Sequence, residues 1–175
     1  MPVPDFIASL REKIGQDQLW LPSVTAVVLR DSTDDSPWAV PEVLLVRRSD
    51  NGKWTPITGI CEPGEEPHAT AVREVKEETL IDASVDALLG VGTSAPVVHA
   101  NGDKAVYMNI AVRMHALDPD AVAEVGDDES SEVGWFSVAN MPVTNPQQRL
   151  IIADAVAHKK RPMGFTPRLG FFKRS

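Results

Sequence analysis

Cysteine is almost missing from this chain: its 175 residues include one, Cys61, so no disulfide can form within it. A lone cysteine is typical of proteins kept in a reducing compartment, and the cytoplasm is the predicted location. Long apolar runs are also missing, and no stretch approaches the ~20 residues that a membrane-spanning helix needs. The first residues, MPVPDFIASLREKIG, lack the basic and apolar regions of a secretory signal peptide. We therefore expect no membrane partner.

Positive charge is in short supply. The chain has 17 Lys and Arg against 25 Asp and Glu, a net charge of -8. This balance disfavours binding to nucleic acid through surface charge. It is compatible with a small phosphorylated ligand, because a bound cation reverses the local sign. The charges are also uneven: residues 118–132 are acidic and residues 159–175 are basic, which predicts a solvated loop and a solvated tail.

The length predicts one domain with a normal core. We expect a helical extension over residues 1–20, the main domain over 21–160 and a basic tail over 161–175. Hydrophobic periodicity predicts helices over 4–16, 67–79 and 146–159 and strands over 24–29, 43–46, 54–57, 85–91, 105–117 and 132–136. Because the helices do not alternate regularly with the strands, the sheet must be mixed or antiparallel.

Three glutamates stand close together in the second predicted helix. Glu74, Glu77 and Glu78 follow the spacing i, i+3 and i+4, which places their side chains on one face within a turn. Carboxylates crowded in this way repel one another unless a cation lies between them. A hard cation with oxygen ligands, Mg²⁺ first, would meet that need. Taken alone, the same spacing also fits an ordinary exposed acidic face.

The wider run from Gly59 to Ile81 resembles the Nudix box. That pattern is Gly, five residues, Glu, seven residues, Arg-Glu, an apolar residue, any residue, Glu-Glu, any residue, Gly and an apolar residue. The matching residues are Gly59, Glu65, Arg73, Glu74, Glu77 and Glu78, with Val75 and Ile81 at the apolar positions. At ordinary residue frequencies, six such matches coincide by chance about once in 10⁷ placements.

The resemblance implies an α/β (α+β) protein: a Nudix-type α/β/α sandwich with a mixed central sheet and a loop–helix–loop catalytic motif. It also implies a hydrolase that cleaves a nucleoside diphosphate linked to another moiety, with Mg²⁺ as cofactor and Mn²⁺ as a substitute. Glu74, Glu77, Glu78 and the carbonyl of Gly59 would hold the metal. Arg73 would orient Glu74 or pair with a neighbouring carboxylate, and Glu65 would hold the loop.

The general base is left open by the resemblance. Family members use either a glutamate of the box, here Glu74, or an acid from a later loop. The later loop in this chain contains the acidic segment GDDESSE, and Glu129 is the first candidate within it. Its rivals are Asp128, Glu124 and Glu132.

The substrate is indicated less directly. Pro96 lies fifteen residues after Ile81, a distance at which relatives that cleave ADP-ribose tend to carry a proline. This favours ADP-ribose or a related nucleotide sugar, with an (oxidised) nucleoside triphosphate as the alternative and a catalytically idle nucleotide-binding module as the third reading. Candidate substrate contacts are Trp54 and Tyr107, whose rings could stack on a base, and Arg47 with its neighbour Arg48. Many relatives are dimers, so a homodimer is expected.

One residue departs from the Nudix box. Leu80 stands where the family has glycine, just after the catalytic helix. Glycine commonly takes a left-handed conformation at that place. Either the helix of this chain runs one residue further, or Leu80 adopts the left-handed conformation at a cost of about 1–2 kcal/mol.

Overall fold

The fold was taken from a computed structural model that describes residues 4–33, 36 and 38–171. The helices are α1 (Asp5–Ile14), α2 (Pro67–Thr79) and α3 (Pro146–Lys160). The strands of the described residues are β1 (Leu19–Arg30), β2 (Glu42–Arg48), β3 (Trp54–Thr55), β4 (Ile57–Ile60), β5 (Ala83–Thr93), β6 (Val97–Val98), β7 (Lys104–Ala116), β8 (Ser130–Ser137) and β9 (Arg168–Leu169).

The sheet is mixed, as the sequence predicts. Its path runs β3-β2-β1-β7-β5-β9, with β4 on β1, β6 on β7 and β8 on β2. The long central strands β1 and β7 are parallel, whereas β7 pairs with β5, and β2 with β8, in antiparallel fashion. The pairing of β1 with β2 is short, because the two strands meet only at Leu29 with Val43 and Arg30 with Glu42.

Helices cover both faces of the sheet. Side chains alternate along a strand, so Val24, Ala26 and Val28 of β1 pack with Val75 of α2, whereas Val27 and Leu29 share a cluster with residues of α3. The result is the α/β/α sandwich with a mixed sheet that the resemblance implies. Within the described ranges, no helix is long and apolar enough to cross a membrane.

The N-terminal helix α1 caps one end of the sheet. Ile7 is buried against Leu19, Leu21 and Ala105, but Leu10 and the last residue of α1 are more than a third exposed. The apolar face of this helix is therefore narrower than its periodicity suggests.

Part of the basic tail joins the sheet. Residues Arg168–Leu169 pair in parallel with Gly90 and Val91 of β5, and Phe171 is buried beneath α3. Arg168 also forms a bidentate ion pair with Asp154. The expectation of a solvated tail is therefore wrong for this segment, while residues 172–175 lie outside the described part of the chain.

Candidate active site

Helix α2 carries the glutamates into the site. Pro67 occupies its first position, where the fixed φ of proline suits a helix and its missing N–H costs nothing. Val75 is completely buried on the sheet. Val72, on the same helix, is 37% exposed. Glu74 and Glu78 lie at the edge of this contact and are each only 4% exposed.

Arg73 binds three carboxylates at once. Its Nε and Nη2 each donate to Glu65 at 2.9 Å. Its Nη1 donates to Glu74 Oε1 at 2.8 Å and to Glu77 Oε2 at 3.1 Å. The guanidinium holds the pKa of Glu65 down at about 2, so this carboxylate is charged throughout the neutral range. Glu65 also accepts from the Thr70 hydroxyl at 2.8 Å. These contacts fix the loop before α2 onto the helix.

Gly59 lies against Glu74. A Cβ on Gly59 would stand 2.0 Å from the carboxyl carbon of Glu74, which is far inside any real contact distance. Only glycine lets the end of β4 pass this close to the carboxylate. The spacing of Gly59 and Glu74 in the sequence thus corresponds to direct contact in the structure.

Glu74 and Glu78 are protonated more readily than ordinary glutamates. Burial raises the pKa of Glu74 to about 7, although Arg73 opposes the shift. Burial likewise raises the pKa of Glu78 to about 8, against the hydrogen bond that Ser130 Oγ donates to Glu78 Oε2 at 2.8 Å. Perturbed acids of this kind are common at functional sites. Ser130 was not anticipated, because nothing near it in the sequence marks a serine that reaches a glutamate 52 residues away.

The late loop, which we define as residues 124–129, lies across the end of α2. The N–H of Glu124 donates to Thr79 O at 3.1 Å, and the N–H of Gly126 donates to Glu78 O at 3.0 Å. These bonds satisfy carbonyls that the end of a helix leaves without partners. The charge of Glu129 acts on both Glu74 and Glu78 and raises their pKa values, so Glu129 lies on the same side of the molecule as the helix glutamates.

The rival acids, two in the late loop and Glu132 in β8, differ in their surroundings. Glu132 pairs with Arg47 across β2 and β8. Glu124 is exposed beside the end of α2. Asp128 is exposed as well, whereas Asp127, which was not a candidate, acts electrostatically on Glu78. No contact tests which acid is the base, and Glu129 stays the prediction.

Leu80 takes the left-handed conformation, with φ 58° and ψ 10°. Of the two alternatives open from the sequence, the strained one is found, and α2 ends at Thr79. The glycine geometry of the box is thus kept with a leucine side chain.

A cleft of about 470 Å³ opens beside β3 and the start of α3. Trp54, Arg48, Lys53, Asn51, Thr55, Thr144, Asn145, Pro146 and Gln148 line it. Trp54 is among these lining residues, and its stacking on a base stays a prediction. Arg47 does not line the cleft, because its guanidinium is engaged by Glu132 and the carbonyl of Gly52. Tyr107 is half-buried, and its hydroxyl hydrogen-bonds to His99 at 2.9 Å.

The residues present suit a hard divalent cation. Their donors are all oxygen: Glu74, Glu77, Glu78 and the backbone of Gly59. In each glutamate one carboxylate oxygen is engaged by Arg73 or Ser130, which leaves the other for an ion. Within the ranges that the structure describes, no three Asp, Glu, His or Cys side chains already form a metal cage. Binding would thus need side-chain rotation, for which Glu77 has room because it is 40% exposed.

Comparison with known proteins gives the same picture. The model of the NUDIX domain family matches residues 20–155. A putative nudix hydrolase 1 of Caenorhabditis elegans is 29% identical over 153 residues, 82% of this chain and 38% of that protein. A MutT-like protein of Streptomyces ambofaciens is 31% identical over 115 residues, 66% of this chain and 62% of that protein. The chain thus spans less than two thirds of either relative.

Solved structures share the fold at low identity. An ADP-ribose pyrophosphatase of Streptococcus suis superposes with a TM-score of 0.62 and 17% identity, over 85% of this chain and 98% of that one. An Ap4A hydrolase of Caenorhabditis elegans gives a TM-score of 0.58 and 19% identity, over 80% of this chain and 98% of that one. At such identities the likeness is one of architecture.

Proposed function

The chain belongs to the NUDIX domain family. From this premise we propose that it is a pyrophosphohydrolase that cleaves, with Mg²⁺, a nucleoside diphosphate linked to another moiety, with ADP-ribose or a related nucleotide sugar as the first candidate.

The observation that carries this proposal is the crowding around Arg73. Two carboxylates of α2, Glu74 and Glu77, and that of Glu65 surround one guanidinium, with the backbone of Gly59 packed against Glu74. Glu74 and Glu78 are buried acids with raised pKa values, and of the two it is Glu74 that pairs with Arg73, so their ionisation calls for further positive charge nearby. An ion that binds phosphate oxygens would meet that demand at the place where the substrate must arrive.

Each residue then has a definite task. Glu74, Glu77, Glu78 and the Gly59 carbonyl would hold the cation, for which Mn²⁺ can substitute. When bound, the cation lowers the pKa of a coordinated water and neutralises phosphate charge. Arg73 holds Glu74 and Glu77 in place. Glu129 would take the proton of the attacking water, and Glu74 is the alternative base.

The cleft supports a nucleotide as substrate. Its lining combines Lys53 and Arg48, whose guanidinium also pairs with Asp50, with the indole of Trp54. The guanidinium of Arg48 senses the charges of Glu78 and Glu129, so the cleft and the carboxylates are electrostatic neighbours. A diphosphate could then lie between the cations and the metal, with its base near Trp54. Arg47 and Tyr107 remain predicted substrate contacts at the margin of this region.

A substrate panel tests the proposal. Purified protein is incubated with Mg²⁺, Mn²⁺ or EDTA and with ADP-ribose, other nucleotide sugars, nucleoside triphosphates or their oxidised forms. Release of AMP from ADP-ribose is the expected result. Release of pyrophosphate from a triphosphate would support the alternative. Tight nucleotide binding without turnover would instead indicate an idle module.

Glu78→Gln ties the activity to the site. We expect turnover to fall at least about 100-fold, because a metal ligand is lost, while the buried amide keeps the fold intact. Glu66→Gln is the matched control, since Glu66 precedes the same helix, is exposed and forms no capping hydrogen bond. Near-normal turnover in Glu78→Gln would contradict the assignment.

Location and assembly are also proposals. The single cysteine supports the cytoplasm. The homodimer is proposed because many members of the family are dimers, and light scattering of the purified protein tests it directly.

A further inference from the structure

The end of α2 accounts for the left-handed conformation of Leu80, but not for a leucine side chain at that place. Among the described residues Leu80 is the one non-glycine residue with positive φ. Such strain persists where surrounding structure compensates for it. Glycine would relieve the strain without changing the path of the chain. The leucine side chain must therefore do something that glycine cannot.

That side chain lies over the late loop. Leu80 Cδ2 is 3.1 Å from the point that a Cβ on Gly126 would occupy. The same Cβ would stand 1.9 Å from the carbonyl oxygen of Glu77. Gly126, although exposed on its other side, thus lies between the backbone of the last turn of α2 and the side chain of Leu80, which is 46% exposed. No larger residue fits there without moving the loop.

The loop is also tied down on both sides of this contact. Before it, the N–H of Glu124 donates to Thr79 O, and at it the N–H of Gly126 donates to Glu78 O. After it, the N–H of Ser49 donates to Glu129 O at 2.8 Å, and Ser130 Oγ reaches Glu78. The acidic residues 127–129 are therefore held by hydrogen bonds between the end of α2 and the end of β2.

From this arrangement we infer that Leu80 is a positioning residue: its side chain clamps Gly126 against the end of α2 and so fixes the late loop, with Glu129, beside Glu74 and Glu78. The inference rests on the proposed function, because the position of Glu129 matters for rate only if the site hydrolyses a phosphoanhydride. The clamp acts through the loop and contributes no ligand or proton of its own.

Variants at Leu80 separate backbone strain from the clamp. Leu80→Gly and Leu80→Asn tolerate the left-handed conformation but lack the apolar side chain, whereas Leu80→Met keeps an apolar side chain of similar length. We expect the Gly and Asn variants to melt at or up to about 4 °C above wild type, since strain is relieved. We expect their kcat to fall about 3- to 10-fold with KM little changed, because a displaced base weakens proton transfer. Leu80→Met should restore most of kcat.

Hydrogen–deuterium exchange of the full chain reports the loop directly. Peptides spanning residues 120–130 should exchange several-fold faster in Leu80→Gly than in wild type, both without metal and with Mg²⁺. Gly126→Ala, which collides with Glu77 O, should give the same or a larger effect on exchange and kcat. Gly164→Ala is the matched control, because a Cβ there meets no atom within 4 Å.

The outcomes discriminate clearly. Wild-type kcat together with wild-type exchange in Leu80→Gly overturns the clamp. Parallel loss of stability and activity in that variant, without rescue by Leu80→Met, also overturns it in favour of a plain packing role. If wild type hydrolyses nothing in the substrate panel, the proposed function fails, whereas faster exchange in Leu80→Gly would still support the contact between Leu80 and the late loop.

Discussion

The two ends of helix α2 are secured by different physical means. At the start, charge dominates: Arg73 reaches back to Glu65, whose pKa it lowers to about 2. At the end, backbone hydrogen bonds from the late loop and the strained Leu80 hold the helix in place. The buried Glu78 at this end has a pKa raised to about 8. The pKa values of two glutamates in one motif are thus shifted in opposite directions, because Glu65 is paired with a guanidinium and Glu78 is buried.

This difference shows how one helix can be both stable and primed for a ligand. The ion pair of Arg73 with Glu65 is complete within the chain and holds the loop in place. The other end keeps a carboxylate in an environment that disfavours its charge, which only a cation can reverse. The stabilising ion pair therefore lies at one end of α2, and the buried carboxylate that needs a cation lies at the other.

Removing Arg73 should have the largest effect on this contrast. Arg73→Met keeps the aliphatic stem but leaves Glu65, Glu74 and Glu77 without their shared cation. Because the guanidinium is 25% exposed, we expect a loss of about 2–3 kcal/mol, below the full cost of breaking a buried pair. Urea denaturation of the metal-free protein measures it.

Arg47→Met is the matched control for that experiment. The pair of Arg47 with Glu132 is roughly half exposed on both sides, with side-chain exposures of 44% and 53%. Solvent screens such pairs, so the expected loss is below about 1 kcal/mol. Equal losses in the two variants would contradict the distinction drawn for the start of α2.

The pH dependence of stability should report the other end. The pKa values of Glu74 and Glu78 are raised to about 7 and about 8 in the fold, against about 4.3 in an unfolded chain. Between these values the folded state binds more protons than the unfolded state, so unfolding free energy falls as pH rises. The contribution is complete below about pH 4.3 and lost above about pH 8.

Melting curves in EDTA from pH 5 to 8.5 measure this effect, with Glu78→Gln as reference because other groups also titrate. We expect the melting temperature of wild type to fall by several degrees more than that of the variant over this range. Mg²⁺ should stabilise wild type more at pH 8 than at pH 6, since it competes with protons for the same oxygens. Parallel curves for the two proteins would mean that Glu78 is not buried in the way the fold indicates.

The same contrast explains what could be read from the sequence. The start of α2 is a local matter: Pro67 and the buried Val75 suffice to predict the helix, and Arg73 with Glu65 follows from the family pattern. The sequence could not decide between the two conformations open to Leu80, because the late loop that its side chain contacts is more than forty residues away in the chain. Ser130 escaped notice for the same reason.

The short strands illustrate the limit in another way. The two residues of β9 carry no periodic pattern, and their pairing with β5 depends on where Phe171 finds a buried place. Charge composition alone predicts a solvated tail there. Packing overrides it once an aromatic residue within a basic segment can be buried.

Lys76 should have the smallest effect, which makes it a useful limit on the contrast. Its ammonium group donates to Leu80 O at 3.2 Å and pairs with Asp82 at 3.0 Å. This ion pair adds a charge interaction to the backbone contacts at the end of α2. Both side chains are well exposed, at 47% and 68%, and water screens the pair. If the end of α2 is secured by the late loop, Lys76→Ala should shift the melting temperature by less than about 2 °C and leave exchange of residues 120–130 unchanged. A larger shift, or faster exchange of that loop, would mean that charge secures this end of the helix too.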